Sequence, residues 1–163
     1  MTDHELDGLA RRVGEALAAR GLWLATAESC TGGWIAEAVT AIAGSSGWFD
    51  RGFVTYSNAA KVTMLGVAQA TLDAQGAVSE PVAREMAEGA LARSQAGLAV
   101  SVTGIAGPGG SEFKPEGRVC FGLAAAGRPT RTETVEFGAR GRDGVRRAST
   151  DHALALLIAA LGR

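Results

Sequence analysis

The sequence predicts an α/β protein, a three-layer α/β/α sandwich with a mixed β-sheet. Three observations carry that expectation. Short apolar or β-branched runs alternate with amphipathic stretches along the chain, the pattern of a sheet covered by helices on both faces. Two strand-like runs at 118–126 and 130–137 are joined by the turn "GRPT", which reads as an antiparallel hairpin and makes the sheet mixed. The chain has 163 residues, 47% hydrophobic and 20% charged, which suits one globular domain over 1–163 with a sizeable core.

Each element has a local reason. Residues 2–20 predict an amphipathic helix, with Thr2 and Glu5 as a capping box and Leu6, Leu9, Val13 and Leu17 on one face. Gly21 follows as the C′ residue. "LWLATA" at 22–27 reads as a buried strand, and "GGWIAEAVTAIA" at 32–43 as a helix stopped by Gly44. "GFVTYS" at 52–57 is β-branched and aromatic, hence a strand. Asn58 is placed as the cap of a short helix over 59–65 ended by Gly66, and a second short helix covers 68–75. Over 79–95, Ser79 as N-cap and Pro81 in the first turn start a longer helix. "LAVSVTG" at 98–104 is a strand running into the glycine-rich loop 104–117, and a final helix spans 142–161. Three segments then fall just past strand ends, at 28–33, 57–61 and 103–114. Ligands collect at that edge of open α/β sheets.

Composition narrows the function. A net charge of −1 lacks the basic surplus of a nucleic-acid binder. The two cysteines, Cys30 and Cys120, have no metal-ligand spacing and suit a reducing, cytoplasmic setting. The N-terminus is charged and has no signal-peptide core, and the run "ALALLIAALG" is too short to span a membrane. No motif asks for a metal or a cofactor. Of 16 basic residues only Lys61 and Lys114 are lysines. A lysine can be deprotonated to act as a base, whereas an arginine cannot.

The stretch "TAESCTGGW" at 26–34 sets a serine, a cysteine and a threonine beside two glycines. Ser29 is either a helix cap or a nucleophile, and Thr31 reads more as a cap. A helix N-terminus there would offer N–H groups to a developing anion, and Gly32 and Gly33 would admit substrate close to the backbone. Cys30 is the rival nucleophile, or a small core residue. Neither His4 nor His152 falls near a strand-end loop, so a serine here needs a different base. "YSNAAK" supplies Tyr56 and Lys61. A free lysine is neutral in only about 1 molecule in 2500 at pH 7, and lowering its pKa to the useful range costs roughly 3–5 kcal/mol. A base at Lys61 therefore requires burial; a solvated helix lysine would be exposed. "TGIAGPGGS" can present backbone N–H groups to an anion, but it is neither a Walker A nor a dinucleotide fingerprint.

Taken together, "TAESCTGGWIAEAVTAIAGSSGWFDRGFVTYSNAAKVTMLGV", "GAVSEP" and "SVTGIAGPGG" resemble the CinA C-terminal domain family, and within it the free-standing nicotinamide-nucleotide amidases. The resemblance implies hydrolysis of nicotinamide mononucleotide, a small-molecule nucleotide, to nicotinate mononucleotide and ammonia, without metal or cofactor. It maps the family's serine and lysine onto Ser29 and Lys61, with Tyr56 as helper. Thr31, Gly32 and Gly33 would shape the site, and Thr103, Gly104, Ile105, Ala106 and Gly107 would line it. Arg142, in "RDGVRR", is the candidate for the substrate phosphate. A homo-oligomer is expected from the family and from the apolar C-terminal helix. Gly141 stands where an acidic residue is expected, Arg118 where a small one is common, and the glycine loop is one residue shorter than usual. A non-catalytic nucleotide-binding or regulatory module, or an amidase for another small amide, are the alternatives.

Overall fold

The computed structural model describes residues 2–162, so Met1 and Arg163 at the ends of the expected domain lie outside it. Five strands form one sheet: β1 (Leu24–Glu28), β2 (Phe49–Val54), β3 (Leu98–Gly104), β4 (Arg118–Ala125) and β5 (Arg131–Glu136). Their order across the sheet is β2-β1-β3-β4-β5. β1 runs parallel to β2 and β3, while β4 and β5 are antiparallel to their neighbours. The sheet is therefore mixed, and the hairpin is the reason.

Six α-helices cover it: α1 (Asp3–Arg20), α2 (Trp34–Thr40), α3 (Asn58–Leu65), α4 (Gln69–Gln75), α5 (Glu80–Ala92) and α6 (Arg142–Leu161). Helices α1, α2 and α6 share one core with Leu24, Leu98, Val100, Val102, Val119, Phe121 and Leu123. Helices α3, α4 and α5 share a second with Ala25, Ala27 and Ala99. Successive strand residues face opposite sides, so the two cores are read off alternate positions of the same strands. Side chains on the α5 face are small, which lets α5 approach closely. Ser101 Oγ donates to the Ala83 carbonyl at 2.6 Å, and a Cβ at Gly122 would lie 2.5 Å from that oxygen.

Several boundaries differ from the sequence expectation, each for a physical reason. α1 has the predicted capping box at Thr2 and Glu5, and Gly21 is left-handed. Leu22 is not in a strand, because its N–H closes α1 by donating to Leu17 O. The second strand starts and ends three residues earlier than 52–57, at Phe49 and Val54, where its parallel partner β1 runs. Ser57, not Asn58, caps α3 through Ala60 N–H. α2 occupies only the middle of 32–43, because Gly32 and Gly33 are left-handed (φ 60° and 103°) and start no helix. α5 ends at Ala92 rather than 95. The apolar face of α6 is spent within the chain: Val145, Ala153, Leu154, Leu157 and Leu161 are buried in the first core. Leu156, Ile158 and Ala160 of the same helix are only partly buried.

Helices α3 and α5 touch backbone to backbone at Gly89, where a Cβ would run into the Leu65 carbonyl. The obstacle is main chain and cannot rotate away. Gly89→Ala is expected to lower stability by about 1–3 kcal/mol, read as a smaller midpoint in urea denaturation.

Candidate active site

β1 delivers two consecutive polar residues to opposite faces of the sheet at its C-terminal end. Glu28 turns toward α2 and Ser29 toward α3. Ser29 is almost wholly buried, at 8% exposure. Opposite it stands Lys61 of α3, at 1%. Lys61 Nζ lies 2.9 Å from Ser29 Oγ, 3.0 Å from Thr55 O and 3.2 Å from Tyr56 O. The two carbonyls accept two N–H bonds. The third direction points at the serine hydroxyl. In the neutral amine that direction is a lone pair, correctly placed to accept the hydroxyl proton. Burial pushes the Lys61 pKa below the ordinary lysine range, opposed by its coulombic interaction with the Cys30 thiol.

Tyr56 reaches Lys61 through its carbonyl only. Its phenol, on a residue 60% exposed, sits at the cavity mouth. There the phenol oxygen accepts from Arg142 Nη2 at 2.7 Å, while Arg142 Nη1 donates to Gly107 O at 2.6 Å. Both partners are neutral, and among the described residues no carboxylate pairs with Arg142. Its charge is thus available to an anion.

These residues surround a cavity of about 380 Å³ lined by Ser29, Cys30, Tyr56, Asn58, Lys61, Ala77, Val78, Arg142 and the loop from Thr103 to Ser111. All of Thr103, Gly104, Ile105, Ala106 and Gly107 line it. Thr103 is buried with its hydroxyl on Ala77 O. The loop is braced from behind: Lys114 Nζ donates to Gln75 O and to Val78 O, and the Glu116 carboxylate accepts from Gly109 N–H and Gly141 N–H. A larger cavity of about 590 Å³ at the opposite sheet edge is lined by Arg20, Arg128, Arg131 and apolar side chains. It holds no nucleophile or base.

Thr31, Gly32 and Gly33 do not line the catalytic-type cavity. Thr31 is buried and donates to Glu28 Oε1 at 2.6 Å. Several N–H groups at the start of α2 are already committed. Ile35 and Ala36 donate their N–H groups to the Glu28 carboxylate at 2.9 and 3.0 Å, and Gly32 N–H donates to Ser29 O. The sequence reading missed Glu28, Thr55, Glu116 and Arg146, and it singled out Lys114 without its bracing role. A charged residue ending an apolar strand, and an arginine four residues after Arg142, were the available signals.

Cys30 lines the cavity but is poorly suited to attack. Burial pushes its thiol up to about 12, assisted by the Glu28 charge, so the thiolate is scarce at neutral pH. Cys30→Ala is expected to retain turnover within about threefold, and iodoacetamide at pH 7.5 to leave wild-type activity intact; both are read in the same turnover assay.

Among the described residues no helix is long and apolar enough to cross a membrane. A family model for the CinA C-terminal domain matches residues 6–161. Nicotinamide-nucleotide amidohydrolase PncC of Escherichia coli strain K12 is 57% identical over 158 residues, covering 96% of this chain and 95% of that protein. A CinA-like protein of Chlorobium phaeobacteroides is 58% identical over 132 residues, which are 79% of this chain but 31% of that longer protein. Among solved structures, competence/damage inducible protein CihA from Agrobacterium tumefaciens superposes with a TM-score of 0.94 at 49% identity, covering 100% of this chain and 98% of the other. On the match along almost its whole length, the chain belongs to the CinA C-terminal domain family.

Proposed function

We propose that this protein is a nicotinamide-nucleotide amidohydrolase. It hydrolyses the carboxamide of nicotinamide mononucleotide to nicotinate mononucleotide and ammonia, with Ser29 as nucleophile and Lys61 as base. The observation that carries the reading is the buried contact of 2.9 Å between Lys61 Nζ and Ser29 Oγ at the cavity wall, in a chain 57% identical to a protein of that name.

The steps of this reading are supported by the contacts at the cavity wall. Neutral Lys61 accepts the Ser29 proton directly, with no relay through the Tyr56 phenol. Ser29 Oγ attacks the carboxamide carbon. The N–H groups of Ala106 and Gly107 are the donors assigned to the oxyanion, since that of Ile105 is committed to Arg118 O; one such donor is typically worth ~3–4 kcal/mol. The C–N bond breaks as Lys61 returns its proton to the leaving nitrogen. Water, deprotonated by Lys61, then releases nicotinate mononucleotide from the serine ester. Arg142 takes the phosphate, exchanging its two neutral acceptors for an anion. Residues 1–163 act as one unit in this reading, in a reducing cytoplasmic setting, without nucleic acid or membrane as partner, and as a homo-oligomer whose size light scattering would give.

The test is ammonia release from nicotinamide mononucleotide with a metal chelator present. Release by wild type and none by Ser29→Ala supports the reading. Tight binding of the nucleotide without release would identify a binding module instead, and release from a different amide alone would move the substrate.

A further inference from the structure

Arg146 lies one turn beyond Arg142 on α6 and faces a different target. Its Nε donates to Cys30 O at 3.1 Å and its Nη2 to Thr31 O at 3.2 Å. Its guanidinium also stacks 5.4 Å from the centre of the Trp34 ring. The same segment is also held by the buried Glu28 carboxylate, which accepts from Thr31 Oγ1, Ile35 N and Ala36 N. The chain after β1 is therefore gripped twice. A cation holds its carbonyls, and an anion holds its amides and one hydroxyl. Neither Arg146 nor Glu28 lines the cavity.

The segment needs such a grip. Gly32 and Gly33 are both left-handed, and a glycine pair has a wide choice of backbone conformations. Ser29 leads directly into it. Left loose, the turn would let Oγ drift from Lys61 Nζ, and a misplacement of about 1 Å costs on the order of 100-fold in rate. Two successive carbonyls are bridged by a planar fork; a lysine ammonium is a point charge and does not reproduce it. We propose that Arg146 and Glu28 form a charged clamp on the 29–36 segment, and that both are positioning residues for the Ser29 nucleophile. This rests on the amidohydrolase reading given above.

The experiment compares wild type, Ser29→Ala, Arg146→Ala, Arg146→Lys and Glu28→Gln. Steady-state hydrolysis of nicotinamide mononucleotide is measured together with amide hydrogen exchange over residues 30–36. The clamp predicts that Arg146→Ala loses about 30- to 100-fold in kcat with KM within about threefold. Millimolar guanidinium restores part of that loss in Arg146→Ala and none in Ser29→Ala. Arg146→Lys stays impaired, and amides 30–36 exchange faster in both Arg146 variants and in Glu28→Gln. The double variant Arg146→Ala/Glu28→Gln loses less than the product of the two single losses, because both grip one segment. A rise in KM at unchanged kcat would make Arg146 a substrate contact and overturn the clamp, as would wild-type kcat in Arg146→Lys. If Arg146→Ala does not fold, Arg146→Lys and Glu28→Gln carry the same comparison. An inactive wild type, or an active Ser29→Ala, refutes the amidohydrolase reading instead, and unchanged exchange at 30–36 refutes the clamp independently of activity.

Discussion

Lys61→Arg is expected to lower kcat by roughly 10⁴-fold, within the range that general bases and nucleophile–base pairs contribute. Arginine keeps the positive charge and most of the length, and it loses the one property the site requires. Its guanidinium stays protonated, so no lone pair faces Ser29 Oγ. The larger planar group must also enter a place where Lys61 is 1% exposed and already in contact with Thr55 O and Tyr56 O. A change in charge alone would be silent in this substitution. A loss therefore reports the proton-accepting role, provided thermal unfolding shows the variant folded. The pH dependence carries the same information with a defined sign. Turnover needs Lys61 neutral, so wild-type kcat falls as pH drops through the Lys61 pKa. Burial has moved that pKa below the ordinary value of about 10.4, so the acid limb lies at lower pH than an exposed lysine would give. A kcat that rises as the pH is lowered, highest where Lys61 is protonated, would remove Lys61 as the base.

Ser29→Ala is expected to cost about 10⁴- to 10⁶-fold in kcat, as loss of a nucleophile does where the remaining site only binds and polarises. Alanine removes one hydroxyl from a buried position, and Lys61 Nζ keeps its two carbonyl acceptors, so the fold should hold. KM should change little, since Arg142 and the loop from Thr103 to Gly107 are untouched. The contrast with the neighbouring residue makes the test specific. Cys30 is adjacent in sequence and lines the same cavity, yet its thiol is held up to about 12. Activity that survives in Ser29→Ala and disappears in Cys30→Ala would reverse the assignment. Mass spectrometry of quenched turnover offers a direct view: the acyl group should be found on the peptide containing Ser29 and be absent in the variant.

Local signals located some elements well. β3 and α6 follow the predicted spans 98–104 and 142–161, because each is bounded by a glycine and carries one unbroken pattern. The failures share a cause: a distant partner decided between two acceptable local choices. Thr55 and Tyr56 are good strand formers, but β1 ends at Glu28, so Thr55 makes its last backbone bond there and the chain leaves the sheet. Ser57 and Asn58 both satisfy the capping rule, and only the geometry chose. Glu28 is the clearest case. It serves the amides of a helix that begins six residues later, a cap outside any local motif. The candidate site divides the same way. Ser29 and Lys61 were placed in one site by residue chemistry and family resemblance, and the structure puts them in contact across 32 positions. Thr31, Gly32 and Gly33 are grouped with them by the resemblance and by the room two glycines leave at a helix start; in the structure the Thr31 hydroxyl goes to Glu28 and none of the three lines the cavity.

The direction of the strands separates the molecule into two ends with different tolerances for change. Ser29, the approach to Lys61 and the glycine loop all leave the sheet at one edge. The other edge carries the α1–β1 turn around Gly21, the approach to β3 at residues 93–97, and the exposed hairpin turn at residues 126–129. Insertion is tolerated at exposed turns whose backbone makes few obligatory bonds. The hairpin turn is thus the natural place for a tag, an affinity handle or new chain ends, with every residue of the amidase site left on unbroken elements. The same asymmetry means that a change of length in that hairpin turn leaves the braces of the cavity wall at Lys114 and Glu116 untouched.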